Sequence, residues 1–139
     1  MITAVDTSVL VDIFTDDPAF RVGSLAAVRA SLSRGSIVAC DIVWAEVVAA
    51  FADGASASSA LAAIPVEFSE IDVRSAATAG AAWRAYRARG GSRERIISDF
   101  VIGAHALTRA DRLLTRDRGF HRMAFKNLKI LDPMGPAAG

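Results

Sequence analysis

Short apolar segments alternate with amphipathic helical segments along the chain, and this alternation restricts the fold more than any other feature. Apolar runs of about four residues are typical of buried strands, whereas apolar residues that recur at the helical period indicate helices. Strands that alternate with helices predict an α/β domain with a central, mainly parallel sheet flanked by helices. We expect strands at 2–5, 36–39, 66–68, 112–115 and 128–131. We expect helices after residue 7 and at about 18–33, 42–51, 56–64, 72–89 and 98–109, with a turn at 117–120.

The length of 139 residues fits one domain, over residues 1–132, followed by a flexible Pro- and Gly-rich tail at 133–139. No apolar run approaches the roughly 20 residues that span a bilayer, so we expect no membrane association. The N-terminal segment MITAVDTSVL has no basic leader and is not expected to be a signal peptide. Cys40 is the single cysteine, which excludes an internal disulfide framework and is consistent with a cytoplasmic protein.

Charge is divided unevenly along the chain. Residues 1–83 contain four arginines against ten acids, whereas residues 84–129 contain twelve Lys and Arg against four acids. Arginine has a planar donor fork that suits phosphate, and fourteen of the sixteen cations are arginine. The basic part is consistent with a nucleic-acid partner and equally with an ordinary solvated surface.

Four acids stand at the end of apolar segments or inside them, and we call them the acidic quartet. They are Asp6 after MITAV, Glu46 within IVWAEVVAAF, Asp99 within IISDFVIGAHA and Asp117 after LLTR. Burying a carboxylate is costly unless a cation pairs with it, and Mg²⁺ or Mn²⁺ prefers such oxygen ligands. Because ligands of parallel sheets collect at the carboxyl ends of strands, Asp6, Asp99 and Asp117 are expected at one edge. Glu46 must reach that edge from the middle of a helix.

Each member of the quartet also has a plain structural interpretation. Asp6 and Asp99 are suited to cap the helices that begin beside them. Glu46 could turn outward from an exposed helix face, and Asp117 lies in a turn context. The remaining acids of interest are expected to be caps, turn residues or solvated side chains: Asp12, Asp16, Asp17, Asp41, Asp53 and Asp111.

Four segments in this order carry a family resemblance: DTSVLVDIF, WAEVVAAF, RERIISDFVIGAHAL and LLTRDRGF. Together they resemble the PIN-domain endoribonucleases, specifically the VapC-type toxins of bacterial toxin–antitoxin pairs. The resemblance covers residues 1 to about 132, and DFVIGAHAL is its most distinctive part. It implies that the acidic quartet binds Mg²⁺ or Mn²⁺ and that metal-activated water hydrolyses an RNA phosphodiester bond.

The resemblance also implies partners. Structured RNA such as tRNA or ribosomal RNA is the implied substrate, and a cognate VapB-type antitoxin is the implied inhibitor. A homodimer is implied, with a heterotetramer or larger assembly when the antitoxin is bound. Candidate RNA contacts beside the motifs are Arg93, Arg95 and Arg116. Apolar residues that could form an antitoxin groove are Phe14, Trp44, Phe51 and the small helix after Ser56.

Other interpretations of the same residues stay open at this point. Phosphatases and response-regulator receivers also place acids at strand ends, although Ser8 stands where the phosphatases have a second acid. A PIN-like domain that binds RNA without cleaving it is the third possibility. His105, within an apolar stretch, is expected to be a core histidine, and His121 has no pattern that assigns it a role.

Overall fold

Five parallel strands form one sheet in the computed structural model, which describes residues 1–135. The strands are β1 (Ile2–Val5), β2 (Ser36–Cys40), β3 (Val66–Ser69), β4 (Arg112–Leu114) and β5 (Ile130–Leu131). The helices are α1 (Thr7–Phe14), α2 (Arg21–Arg34), α3 (Asp41–Ala49), α4 (Gly54–Ala63), α5 (Val73–Ala88), α6 (Ile97–Arg109) and α7 (Arg118–Ala124). The predicted α/β class with a parallel sheet is confirmed.

The sheet order is β3–β2–β1–β4–β5, so the first strand of the chain lies at its centre. Parallel sheets are covered on both faces, and their strands are therefore nearly continuous apolar runs. The last three residues of β1 are buried, as are the last four of β2 and the last two of β4. Burial of these strands against the helices supplies most of the core.

The register of the sheet decides which side chains meet at its edge. Val5 lies opposite Leu114, so the residues that follow them, Asp6 and Thr115, leave the sheet side by side. The Asp6 backbone N–H also donates to the Leu114 carbonyl at 2.9 Å. The carboxyl ends of β1 and β4 thus begin one common site, as the alternation of strands and helices predicts.

One predicted turn is wrong. The segment expected to turn at 117–120 instead opens α7, a helix of seven residues. Phe120 and His121 are buried on this helix, and the Phe120 ring packs edge-on against Phe100 with centroids 5.1 Å apart. Tertiary packing therefore stabilises a short helix that Gly119, in its first turn, disfavours by local propensity.

Asp12 also differs from its prediction as a cap, turn residue or solvated acid. Its side chain is 4% exposed and forms a two-pronged ion pair with Arg116, at 2.8 and 3.0 Å. Ser24 donates a further hydrogen bond to the same carboxylate at 2.9 Å. The Arg116 guanidinium lies over the Phe20 ring, 3.9 Å from its centroid. This cluster joins α1 and α2 to the segment after β4 and is buried because its charges are paired.

Asp72 caps α5 and gives the fold one acid-sensitive contact. Its carboxylate accepts from the Ser75 backbone N–H at 2.8 Å and pairs with Arg109 at 2.9 Å. The Ser75 backbone bond, followed by the Ser75 side chain and Arg109, lowers the pKa of Asp72 to about 2. The negative form is thus favoured in the folded state, and its stabilising effect is present above the unfolded pKa of 3.8.

We therefore expect the stability difference between the wild type and Asp72→Asn to depend on pH. Asparagine keeps the cap but loses the charge, so the difference in melting temperature is largest above about pH 4 and shrinks as the pH falls toward 2. Thermal unfolding followed by circular dichroism between pH 6 and the lowest pH that permits folding measures it. A difference that stays constant with pH would contradict this role of Asp72.

The first residues of the predicted tail form a turn on Asp132. The Met134 backbone N–H donates to Asp132 Oδ1 at 2.8 Å, and the Gly135 N–H donates to the Asp132 carbonyl at 3.0 Å. The rest of the predicted flexible tail, residues 136–139, lies outside the described residues. Among the helices described within residues 1–135, none is long and apolar enough to cross a membrane.

Candidate functional site

Asp6 is held firmly at the carboxyl end of β1. Its Oδ1 accepts from the Thr7 backbone N–H at 2.7 Å, which also caps α1. Its Oδ2 accepts from the Thr115 hydroxyl at 2.7 Å and lies 3.6 Å from His121 Nε2. Burial alone would raise the pKa of Asp6, but His121, Thr115 and Thr7 together hold it below its usual value. Asp6 is therefore kept as a carboxylate although its side chain is only 13% exposed.

Glu46 joins this arrangement from the middle of α3. The Thr7 hydroxyl donates to Glu46 Oε1 at 2.7 Å, although Glu46 itself is exposed. Thr7 thus contacts two members of the quartet, because its backbone N–H binds Asp6 and its side chain binds Glu46. The prediction that Glu46 reaches the edge from within a helix agrees with this contact.

Asp117 follows β4 and is bound by an arginine. The Asp117 backbone N–H donates to the Thr115 hydroxyl oxygen at 2.9 Å, which links it to Asp6. Its two carboxylate oxygens accept from Arg95 Nη1 at 2.5 Å and Nη2 at 3.2 Å. The Arg95 guanidinium also lies over the Phe120 ring, 4.3 Å from its centroid. The hydrogen bond to Asp117 is the main cause that raises the pKa of Arg95.

Asp99 has the capping role that its plain interpretation gives it. Its Oδ2 accepts from the Ile96 backbone N–H at 3.0 Å at the start of α6, and the side chain is half-buried. The negative charge of Asp99 also contributes to the raised pKa of Arg95, after that of Asp117. Asp99 is therefore close enough to Arg95 for their opposite charges to interact.

The contacts join three of the four acids into one hydrogen-bonded series. It runs in the order Glu46, Thr7, Asp6, Thr115, Asp117 and Arg95. Within residues 1–135, however, no three Asp, Glu, His or Cys side chains lie close enough together to hold a metal ion. The donor chemistry still fits Mg²⁺ or Mn²⁺, because the series offers carboxylate and hydroxyl oxygens and Asp6 is held ionised. The metal site remains a prediction.

The three candidate RNA-binding arginines differ in their surroundings. Arg93 is exposed in the segment between α5 and α6, and Arg95 lies in the same segment against Asp117. Arg116 is turned away toward Asp12 and Phe20, so its side chain has a structural role. Arg93 and Arg95 are therefore the better placed candidates.

His121 is the residue of this site that the sequence pattern does not reveal. It is 2% exposed, and its Nε2 faces Asp6. A Cβ at position 103 would lie 2.4 Å from the Phe125 ring and 3.0 Å from His121 Nδ1, so Gly103 permits α6 and α7 to approach. The glycine within IGAHA thereby positions His121. His105 is buried and bonds Ser69 Oγ at 2.9 Å, which confirms its prediction as a core histidine.

The PIN-domain family model matches residues 3–126. This match covers most of the chain, and the chain therefore belongs to the PIN-domain family. The family part of the predicted resemblance is confirmed, whereas the roles of the acidic quartet stay a prediction. No curated protein sequence matches the chain significantly.

Solved structures with a fold similar to that of this chain include VapBC complexes and another toxin–antitoxin complex. VapBC2 from Rickettsia felis, bound to a DNA fragment from its promoter, is 21% identical with a TM-score of 0.72, covering 95% of this chain and 98% of that chain. VapBC-1 from nontypeable Haemophilus influenzae is 16% identical with a TM-score of 0.74, covering 97% and 100%. A toxin–antitoxin complex from Klebsiella pneumoniae is 20% identical with a TM-score of 0.63, covering 96% and 99%. At these identities the similarity establishes the fold.

Proposed function

We propose that this PIN domain is a metal-dependent endoribonuclease toxin of the VapC type, which hydrolyses phosphodiester bonds in tRNA or ribosomal RNA. The observation that carries the proposal is the hydrogen-bonded series from Glu46 through Asp6 to Asp117 at the carboxyl edge of the sheet. Its position in a PIN domain and the similarity of the fold to VapBC complexes support it. We expect this activity in the cytoplasm, where RNA is abundant.

The quartet Asp6, Glu46, Asp99 and Asp117 would hold Mg²⁺, or Mn²⁺ in its place. When bound, such an ion lowers the pKa of a coordinated water and neutralises charge on the phosphoryl oxygens. Asp6 supplies a negative charge, because His121, Thr115 and Thr7 lower its pKa despite its burial. Glu46, which is exposed and held through one oxygen by Thr7, is suited to accept a proton from the attacking water.

RNA would approach from the basic side of the site. The segment between α5 and α6 carries Arg93, which is exposed, and Arg95, whose side chain is 32% exposed. Guanidinium groups bind phosphate through two parallel hydrogen bonds, and they position a strand without selecting its bases. Cleavage in single-stranded loops would follow, since bases there are splayed and accessible.

A VapB-type antitoxin is the proposed protein partner, bound to a homodimer of this chain in a heterotetramer or larger assembly. The similar folds named above occur in VapBC complexes. An apolar depression lined by Trp44, Val48 and Leu61 lies between α3 and α4 and would suit an apolar antitoxin segment. Phe14 and Phe51, which are also predicted for this groove, pack against each other with ring centroids 5.6 Å apart.

Incubation of the purified chain with tRNA and ribosomal RNA tests this function. We expect new RNA 5′ ends with Mg²⁺ or Mn²⁺ and none with EDTA. Asp99→Asn should abolish this cleavage without unfolding the protein, since asparagine can still accept the Ile96 hydrogen bond but has no charge. Undiminished cleavage by Asp99→Asn, or cleavage in EDTA, would contradict the proposal. Induced expression should arrest growth, and co-expression of the cognate antitoxin should relieve the arrest.

A binding module that does not cleave RNA is the second candidate. The observation that favours it is the Arg95–Asp117 pair, which occupies both carboxylate oxygens of one quartet member. Retention of RNA that weakens steeply with salt, without cleavage in either metal, would support this candidate. The phosphatase alternative has no such observation in its favour.

A further inference from the structure

Asp6 and Asp117 lie at one edge of the sheet, which we call the acidic edge, and Arg95 already supplies a positive charge there. Its guanidinium binds both oxygens of Asp117, at 2.5 and 3.2 Å, in the fork geometry that arginine forms with carboxylates. Phe120 supports the guanidinium from one face, at 4.3 Å. Asp117 therefore has a counter-charge within the same chain, at the atoms that a metal ion would use.

The segment that carries Arg95 is anchored at both ends. The Tyr86 hydroxyl donates to the Ser92 carbonyl at 2.9 Å, and the Ile96 N–H donates to Asp99 at 3.0 Å. Gly90 has φ of 77°, in the left-handed region that glycine adopts readily. These contacts hold the backbone on either side of Arg95, with the guanidinium in reach of Asp117.

The pair is also accessible to solvent. The side chains of Arg95 and Asp117 are 32% and 42% exposed, respectively. Ion pairs at this exposure are weak because water and salt screen them. A divalent cation, with twice the charge and a preference for oxygen ligands, could therefore displace the guanidinium.

We propose that Arg95 is an internal counter-cation of the acidic edge and that a divalent metal ion binds only when Arg95 releases Asp117. This inference rests on the proposed metal-dependent function and adds a competitor from the same chain. Metal uptake and the Arg95–Asp117 pair are then mutually exclusive, so the pair weakens the apparent metal affinity. The release also frees the guanidinium beside the site where RNA phosphate would lie.

Calorimetric titration of the full chain with Mn²⁺ tests the competition. Arg95→Gln should bind Mn²⁺ about threefold to tenfold more tightly than the wild type, as expected for removal of a partly exposed ion pair. Arg95→Lys keeps the charge but not the fork, so its affinity should fall between the two. Thermal unfolding of each variant confirms that the fold is retained.

Arg118→Gln is the matched control for loss of charge. Arg118 is adjacent to Asp117 in the chain but pairs with Asp132, at 3.5 Å. Its substitution should leave the Mn²⁺ affinity within twofold of the wild type. Equal gains in Arg118→Gln and Arg95→Gln would show a general charge effect and overturn the inference.

Nuclear magnetic resonance provides a second readout on the wild type. Saturation with Mg²⁺ should shift the Arg95 Nε–Hε signal, because the guanidinium leaves Asp117. An unshifted signal at saturation, or an unchanged Mn²⁺ affinity in Arg95→Gln, would overturn the inference while leaving the proposed function intact. Absence of Mn²⁺ binding to the wild type and to every variant would overturn both.

Discussion

Asp6→Asn should reduce metal-dependent RNA cleavage by about a hundredfold or more while leaving the domain folded. Asparagine is nearly isosteric with aspartate, and its single carbonyl oxygen can still accept the Thr7 N–H that caps α1, while its NH2 group faces the Thr115 hydroxyl as a donor. It carries no charge, however, so the ionised oxygens that the site holds ready for a cation are lost. The initial rate of cleavage of a labelled RNA with Mg²⁺ measures the effect.

Asp53→Asn is a suitable comparison for Asp6→Asn. Asp53 caps α4 and accepts from the Ser56 backbone N–H at 2.7 Å, so both aspartates are helix caps. Asparagine caps helices about as well as aspartate, and neither change should unfold the protein. We expect full cleavage activity in Asp53→Asn. Equal activity in the two variants would mean that Asp6 is only a cap.

Asp12→Ala should destabilise the fold by about 2–4 kcal/mol. Removing one partner of a buried ion pair leaves the other charge without compensation, which costs about 3–5 kcal/mol when both are fully buried. Arg116 is 29% exposed and can recover part of its hydration, so we expect a smaller loss here. Ser24 loses its hydrogen-bond acceptor as well. The free energy of unfolding from urea denaturation measures the change.

Asp16→Ala provides the surface comparison. Asp16 pairs with Arg21 at 2.8 Å, but its side chain is 84% exposed. Exposed pairs contribute about 0–1 kcal/mol, so this variant should remain close to the wild type. Similar losses in both variants would contradict a special role for the buried pair of Asp12 with Arg116.

Most of the parallel sheet was predictable because β1, β2 and β4 are short, buried apolar runs that are each followed by a helix. Asp6 could be placed at the sheet edge by the same reasoning, since it follows β1 directly. Helix starts were less accurate: α2 begins at Arg21, three residues after the predicted Pro18. Local propensity also failed for α7, whose stability depends on contacts of Phe120 with a distant helix.

The contacts that the sequence could not predict join residues far apart in the chain. Asp12 and Arg116 are separated by 104 positions, and Arg95 and Asp117 by 22. A single sequence shows which residues carry charge but not which charges the fold brings together. For that reason Asp12 was predicted to be a cap, a turn residue or a solvated acid, and Arg95 was predicted to contact RNA without an acidic partner in the chain.

The hydroxyl of Thr115 donates one hydrogen bond and accepts another, and each goes to a different acidic residue. A hydroxyl has a single hydrogen atom, and Thr115 directs it to Asp6, so toward the Asp117 backbone it can only be an acceptor. One oxygen atom therefore couples the beginning of the polypeptide to a segment more than a hundred residues later. An aliphatic isostere such as valine would fill about the same volume but remove both hydrogen bonds through which this oxygen joins Asp6 to the Asp117 backbone.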